Sequence, residues 1–261
     1  MEKLKELTGA ICDIACEAGN YLRQTRQNFD FSRIEQKQHH DYVSYADKGS
    51  EQQVVKALRQ LLPEAGFITE EGSVAYQGES LRWVIDPLDG TTNFIHDYVP
   101  YAVSIALRQN DEILAGVVYE VQKDECFYAW KEGGAYLNGK SVHVTHNPLD
   151  RALIGIELPY DAGTYTDSAC RLIRHFYGKV GGIRMNGSAA VALCDVAMGR
   201  IDGWLERYIH PWDFSAGAII VTEAGGCVTN YTGGKNYLDG NNIVASNARI
   251  HEALVEAACK E

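Results

Sequence analysis

Residues 83–94 read Trp83-Val84-Ile85-Asp86-Pro87-Leu88-Asp89-Gly90-Thr91-Thr92-Asn93-Phe94. The three large apolar residues predict a short buried strand. Pro87 cannot donate to a ladder and fixes φ, so the strand is expected to end at Asp86. Asp86 and Asp89 then stand three positions apart on a stiff turn. Gly90 lets the backbone come close to a ligand, and the N–H and hydroxyl groups after it suit phosphate oxygens. Carboxylates beside phosphate donors call for a cation between them, which points to a metal-assisted phosphate site.

The totals bound what such a site can serve. The chain has 261 residues, enough for one large domain or two lobes on a shared core. Its 24 basic against 35 acidic residues give a net charge of −11. That argues against nucleic acid or an anionic membrane as the main partner, but not against an anionic substrate, since bound cations reverse the local sign. Seven cysteines are scattered without a C-x-x-C, and Cys12 and Cys16 fall on the apolar face of a predicted helix. Buried free thiols and a cytoplasmic location are expected. The first residues lack the apolar run of a signal peptide, and no stretch is long enough to span a bilayer.

Leu4, Leu7, Ile11, Ile14, Ala15, Ala18 and Leu22 predict an opening amphipathic helix. Ser50 with Gln53 matches a capping box and predicts a second helix, ended near Pro63. Phe67-Ile68 predicts a short strand leading to Glu70-Glu71. Strands at 102–107, 113–119, 126–130 and 142–144, with turn residues between them, predict an antiparallel meander. After Pro148 strand and helix patterns alternate, with strands at 153–157, 202–206 and 243–245. Helices are expected at 170–177, 188–198, 211–224 and 248–258.

Three acidic clusters sit at element ends beside small residues: Glu70-Glu71, Asp86 with Asp89, and Trp212-Asp213. Singly, the first reads as a solvated loop and the last as a helix-capping acid. Together, with a proline between two of the acids, they favour a site. Gly134 to Ser141 matches the P-loop pattern letter for letter, but Val142 to Thr145 reads as a strand and Asn138-Gly139 as a hairpin turn. Asp86 and Asp89 are not spaced as in an aspartyl-phosphate enzyme or an EF-hand. His143 and His146 are expected on opposite faces of a strand, and His39-His40 on an exposed loop near Lys37.

With these motifs in order along nearly its whole length, the chain resembles the inositol monophosphatase family, within the lithium-sensitive, magnesium-dependent phosphatases. The matching segments are Asp47, Glu70-Glu71, Asp86 to Thr92, Gly187 to Ala190, Trp212 to Gly217 and Glu223 to Gly226. The resemblance implies an α+β fold, a layered α-β-α-β-α sandwich of the sugar-phosphatase type. It implies one catalytic domain over residues 1–261, with an N-terminal α+β lobe to about residue 147 and a C-terminal α/β lobe from about 148. A homodimer is expected, with no nucleic-acid or membrane partner.

By the same resemblance, Glu70, Asp86, Asp89, Asp213 and the Leu88 carbonyl would hold about two to three Mg²⁺ ions, with Mn²⁺ as a possible substitute. Their four carboxylates carry four negative charges, which two Mg²⁺ neutralise and a third would turn toward a phosphate dianion. Thr91, oriented by Asp47, and Glu70 would help deprotonate a metal-activated water. Gly90, Thr91 and Thr92 would bind phosphate. Asp89, Gly187, Ser188, Ala189, Glu206 and Asp213 would line the alcohol side. The implied reaction is hydrolysis of a small polyol phosphate, first of all myo-inositol monophosphate. Fructose 1,6-bisphosphate, histidinol phosphate and nucleotide 3′-phosphates are the rival substrates. A non-catalytic metal- or sugar-phosphate-binding regulator is the rival from another class.

Overall fold

The computed structural model describes residues 2–38, 41–158 and 165–259; His39 and His40 lie outside the described residues. Helix α1 (Glu2–Gln27) buries Ile11, Ala15, Ala18 and Leu22, the stripe expected from the sequence. A hairpin not anticipated, β1 (Ile34–Gln38) and β2 (Asp41–Ser44), leads into α2 (Tyr45–Leu61). The helix begins earlier than Ser50: Ser44 is its N-cap, and its capping box is closed by Asp47. Ser50 lies inside the helix, where its hydroxyl donates to the Pro87 carbonyl (2.9 Å).

The first sheet has seven strands in chain order: β3 (Gly66–Thr69), β4 (Leu81–Asp89), β5 (Ala102–Gln109), β6 (Glu112–Glu120), β7 (Glu125–Trp130), β8 (Ala135–Leu137) and β9 (Lys140–Ser141). Only β3 and β4 are parallel; the rest is the expected meander. Strand β4 does not stop at Asp86. Asp86 pairs with Ser104 and Asp89 with Ala102, so one extra residue is accommodated in a bulge around Pro87. A bulge spares proline a ladder bond and re-aims neighbouring side chains, which is why the strand survives it. Residues 142–144 form no strand, so the two-face argument for His143 and His146 does not apply. The P-loop look-alike is indeed the β8–β9 hairpin, turned by Asn138 (φ 46°) and Gly139 (φ 81°).

The second sheet is built from β10 (Leu153–Ile156), β11 (Gly182–Arg184), β12 (Gly203–Arg207), β13 (Cys227–Thr229) and β14 (Asn242–Ser246), in the order β11-β10-β12-β14-β13. Strand β10 runs parallel to both neighbours, and β14 antiparallel to both of its own. Four further α-helices of this half are α4 (Tyr165–Phe176), α5 (Ala189–Ala197), α6 (Pro211–Glu223) and α7 (His251–Cys259), and the single turn α3 (Thr91–Ile95) follows β4.

Three apolar cores separate five layers. One joins α1 and α2 to the first sheet, the second sets α5 and α6 between the sheets, and the third joins the second sheet to α4 and α7. The layered α+β fold is therefore as expected. The middle layer fits closely: a Cβ on Gly116 of β6 would stand 2.7 Å from the Ala216 carbonyl of α6. Helices α5 and α6 are buried nearly all round, so their sequences lack an amphipathic stripe. All seven cysteines are free thiols, but Cys170 and Cys259 are exposed, against the expectation of burial. No helix among the described residues is long and apolar enough to cross a membrane.

Candidate active site

The bulge in β4 places Asp86 and Asp89 at one end of the first sheet, facing the starts of α5 and α6. Asp86 is 2% exposed, and its Oδ1 accepts from the Leu88 N–H (2.9 Å). Its carboxyl is pushed well above the usual range by burial first, then by Glu70, Asp89 and Asp213. A hydrogen bond with Glu70 adds to the rise. Asp89 is pushed up to about 7, with burial the main cause and hydrogen bonds from Ser188 and Ala190 opposing it.

Asp89 is held by the N-terminus of α5. The Ser188 hydroxyl and the Ala190 N–H (3.0 Å) donate to Oδ2, and the Ala189 N–H (3.3 Å) donates to Oδ1. Ser188 is also the N-cap of that helix. Asp213 occupies the third position of α6, where its Oδ2 accepts from the His210 N–H (2.7 Å). Glu70 follows β3, its N–H on the Ile85 carbonyl (3.2 Å). The cluster thus joins the first sheet to the layer between the sheets.

Beside it, the buried Asp47 links α2 to α3. Its Oδ2 accepts from the Ser44 N–H (2.8 Å) and hydroxyl (2.7 Å), while Oδ1 accepts from the Thr91 hydroxyl (2.8 Å). Burial raises its carboxyl and these bonds lower it. Thr91 Oγ1 also lies 3.0 Å from the Leu88 carbonyl. Gly90 precedes α3 at φ 87°, a left-handed conformation, and the first N–H groups of that turn have no acceptor within it.

Glu206 is half-buried at the end of β12. Burial, then Glu157, Asp213 and Asp89, hold its carboxyl well above the usual range. The structure therefore brings every residue of the expected set to one region. The half-buried Thr92 in α3 and the exposed Gly187 before α5 lie at its edge.

Three supporting residues were missed. Glu51 is fully buried and accepts from the Thr69 hydroxyl (3.0 Å) and from the Glu71 and Ser73 N–H groups (both 2.9 Å), which fixes the loop carrying Glu70. Asn93 donates to the carbonyls of Pro100 and Asn186 (both 2.8 Å) and ties α3 to the loop before α5. Glu157 accepts from Asn186 and Gly187. Glutamates inside a helix or at a strand end carry no local mark of such roles; only Asn93, just after the Asp-rich turn, had a position that could have raised it.

The donor set tests whether a metal fits. Asp86 is buried and the strongest charges acting on it are all negative. Carboxylate oxygens without sulfur, under uncompensated negative charge, suit a hard divalent cation such as Mg²⁺. Among the described residues no three acids, histidines or cysteines already form a closed ion-holding group. Asp89 and Asp213 are instead turned to Ser188 and His210, and Asp86 to Leu88 and Glu70.

The chain belongs to the inositol monophosphatase family, whose model matches residues 3–261. It is 38% identical over 243 residues to the Nus factor SuhB of Escherichia coli (strain K12), covering 92% of this chain and 91% of that protein. It is 36% identical over 256 residues to the inositol-1-monophosphatase of Mesorhizobium japonicum, covering 97% and 96%. Among solved structures, the extragenic suppressor protein suhB of Bartonella henselae superposes with a TM-score of 0.90 at 35% identity, over 97% of this chain and 98% of that one. A Thermotoga maritima IMPase gives 0.88 at 29% identity, over 100% and 98%.

Proposed function

We propose that this chain is a Mg²⁺-dependent phosphomonoesterase acting on a small polyol phosphate, first of all myo-inositol monophosphate. The observation that carries this is the meeting of the buried Asp86 and Asp89 with the half-buried Glu70 and Asp213 beside the Asp47–Thr91 pair. Glu70, Asp86, Asp89, Asp213 and the Leu88 carbonyl would hold about two to three ions, with Mn²⁺ as a substitute. Bound Mg²⁺ would activate water at neutral pH and neutralise charge on the transferring phosphoryl group.

The chain's own groups do the rest. Thr91 accepts the attacking water's proton at Oγ1 and passes its own to Asp47 Oδ1, aided by Glu70. A carboxyl raised by burial is suited to taking that proton. The N–H groups of Gly90, Thr91 and Thr92 hold phosphate oxygens. Glu206, with the Ala189 backbone, receives hydroxyls of the alcohol, while Gly187 and Ser188 shape that side. A single catalytic unit with lobes meeting near residue 147, a homodimer, lithium inhibition and a cytoplasmic location all accord with the family membership.

A second reading has its own support. The similar Escherichia coli protein is named a Nus factor, so a binding role, with nucleic acid or protein as partner, is the alternative. Retention of Thr91 and Asp47 in contact favours the enzyme, since a binding role needs no proton relay. The test is phosphate release from inositol monophosphate, fructose 1,6-bisphosphate, histidinol phosphate and adenosine 3′,5′-bisphosphate, with Mg²⁺ and with chelator. Release from the first alone, and only with Mg²⁺, is expected; release from none would overturn the assignment.

A further inference from the structure

Glu157 follows β10 directly, and its N–H donates to the Leu205 carbonyl (3.2 Å), so it sits beside Glu206 at adjacent parallel strand ends. Unlike Glu206, it turns its carboxylate to backbone. Oε1 accepts from the Asn186 N–H (2.7 Å), and the Gly187 N–H lies 3.3 Å from both oxygens. The side chain is 7% exposed, so leaving it unpaired would be costly. The Asn186 carbonyl is meanwhile bonded by Asn93 (2.8 Å), so the segment is gripped from both sides. The next three residues supply every donor that holds Asp89 from α5: Ser188, Ala189 and Ala190.

We propose that Glu157 is a positioning residue: by clamping Asn186 and Gly187 it fixes the Ser188–Ala190 cradle and through it the orientation of Asp89. Its charge suits the task, because a carboxylate accepts two N–H groups where an amide side chain would present its own donor to one of them. This rests on the proposed Mg²⁺ site only for the metal readout below. The clamp itself is a property of the metal-free chain.

The test is amide hydrogen exchange on the metal-free full-length protein, wild type, Glu157→Ala and Glu157→Gln, followed by a Mg²⁺ titration of thermal stability. In Glu157→Ala, amides 187–190 should exchange about tenfold faster or more, with α1 and the first sheet unchanged. In Glu157→Gln the amide oxygen can stay on Asn186 and remain within 3.3 Å of the Gly187 N–H, so the loss of protection should be smaller than in Glu157→Ala. The Mg²⁺ concentration at half-maximal stabilisation should rise about tenfold in the alanine variant, one decade for each ~1.4 kcal/mol lost. A purely structural role would lower stability without moving that midpoint. Should Glu157→Ala not fold, Glu157→Met, which keeps the length of the side chain and loses both acceptors, takes its place in the same measurements. Wild-type exchange at amides 187–190, or an unmoved Mg²⁺ midpoint, in a folded Glu157→Ala or Glu157→Met overturns the clamp. Absence of phosphate release by the wild type would instead count against the phosphatase reading and leave these measurements valid.

Discussion

The Thr91 hydroxyl and Asp47 Oδ1 stand 2.8 Å apart, both buried, although 44 positions separate them in the chain. The bond spans two elements, the first turn of α2 and the start of α3, and both residues also serve the backbone around them. Thr91→Val keeps the volume and removes the hydroxyl, whereas Thr91→Ser keeps it. The valine variant should lose about 10²-fold or more in kcat with a small change in KM, as expected for a proton-transfer group. The serine variant should stay within about tenfold of wild type. Steady-state phosphate release measures both, and equal loss in the two would mean that packing matters and the hydroxyl does not.

Asp86→Asn should separate stability from function. Burial and the neighbouring acids make ionisation of Asp86 costly, a cost the neutral amide avoids, and the amide oxygen can still accept from Leu88. In chelator the variant should melt higher than wild type, each kcal/mol being worth about 2–4 °C at this size. Added Mg²⁺ should raise the wild-type melting temperature and leave the variant nearly unmoved. A variant that melts lower in chelator and still responds fully to Mg²⁺ contradicts the role assigned to Asp86.

The pH dependence of the metal-free chain follows from Asp89. Its folded carboxyl is pushed up to about 7 from an ordinary 3.8, so between those values the folded chain binds more protons than the unfolded one. Stability from this group is therefore full at low pH and is lost as pH rises toward about 7. Urea unfolding in chelator should show this fall between about pH 4 and pH 7. Asp89→Asn should make it shallower, leaving the part carried by Asp86, Asp47 and Glu206, and so should saturating Mg²⁺. An identical slope in wild type and variant would place the titration elsewhere.

Gly90 tests the backbone of the turn. A Cβ there would stand 3.0 Å from the Pro100 carbonyl and 3.2 Å from that of Gly187, at φ 87°. Gly90→Ala should cost more than about 1 kcal/mol, because the strain adds to a crowded approach. Urea denaturation checks this, and a neutral or stabilising result would show that the turn has room to relax.

The sequence made the outline legible where residues carry their own geometry. Gly-Thr-Thr after two acids, Pro211 opening α6 and Asn138-Gly139 each announce a local structure, and each is found. Tertiary contacts decided what it did not show. Pro87 stops an ordinary strand, yet here a bulge and the Ser50 hydroxyl on its carbonyl carry β4 on to Asp89. Ser50 with Gln53 imitates a helix start, but Ser44 with Asp47 has the same spacing and also reaches Thr91. The metal-ligand candidates were visible as a pattern because their neighbours are distinctive. Glu51 and Glu157 were not, since their partners are backbone N–H groups that no side-chain pattern records.

The proposed Mg²⁺ site for phosphate-ester hydrolysis rests on these converging carboxylates. Phosphate release from myo-inositol monophosphate by the full chain, read with saturating Mg²⁺ and again with excess chelator, tests it most directly. Rapid release with Mg²⁺, abolished by chelator and absent in Asp86→Asn, is expected. Release unaffected by chelator, or none from any phosphate ester at saturating Mg²⁺, would contradict it.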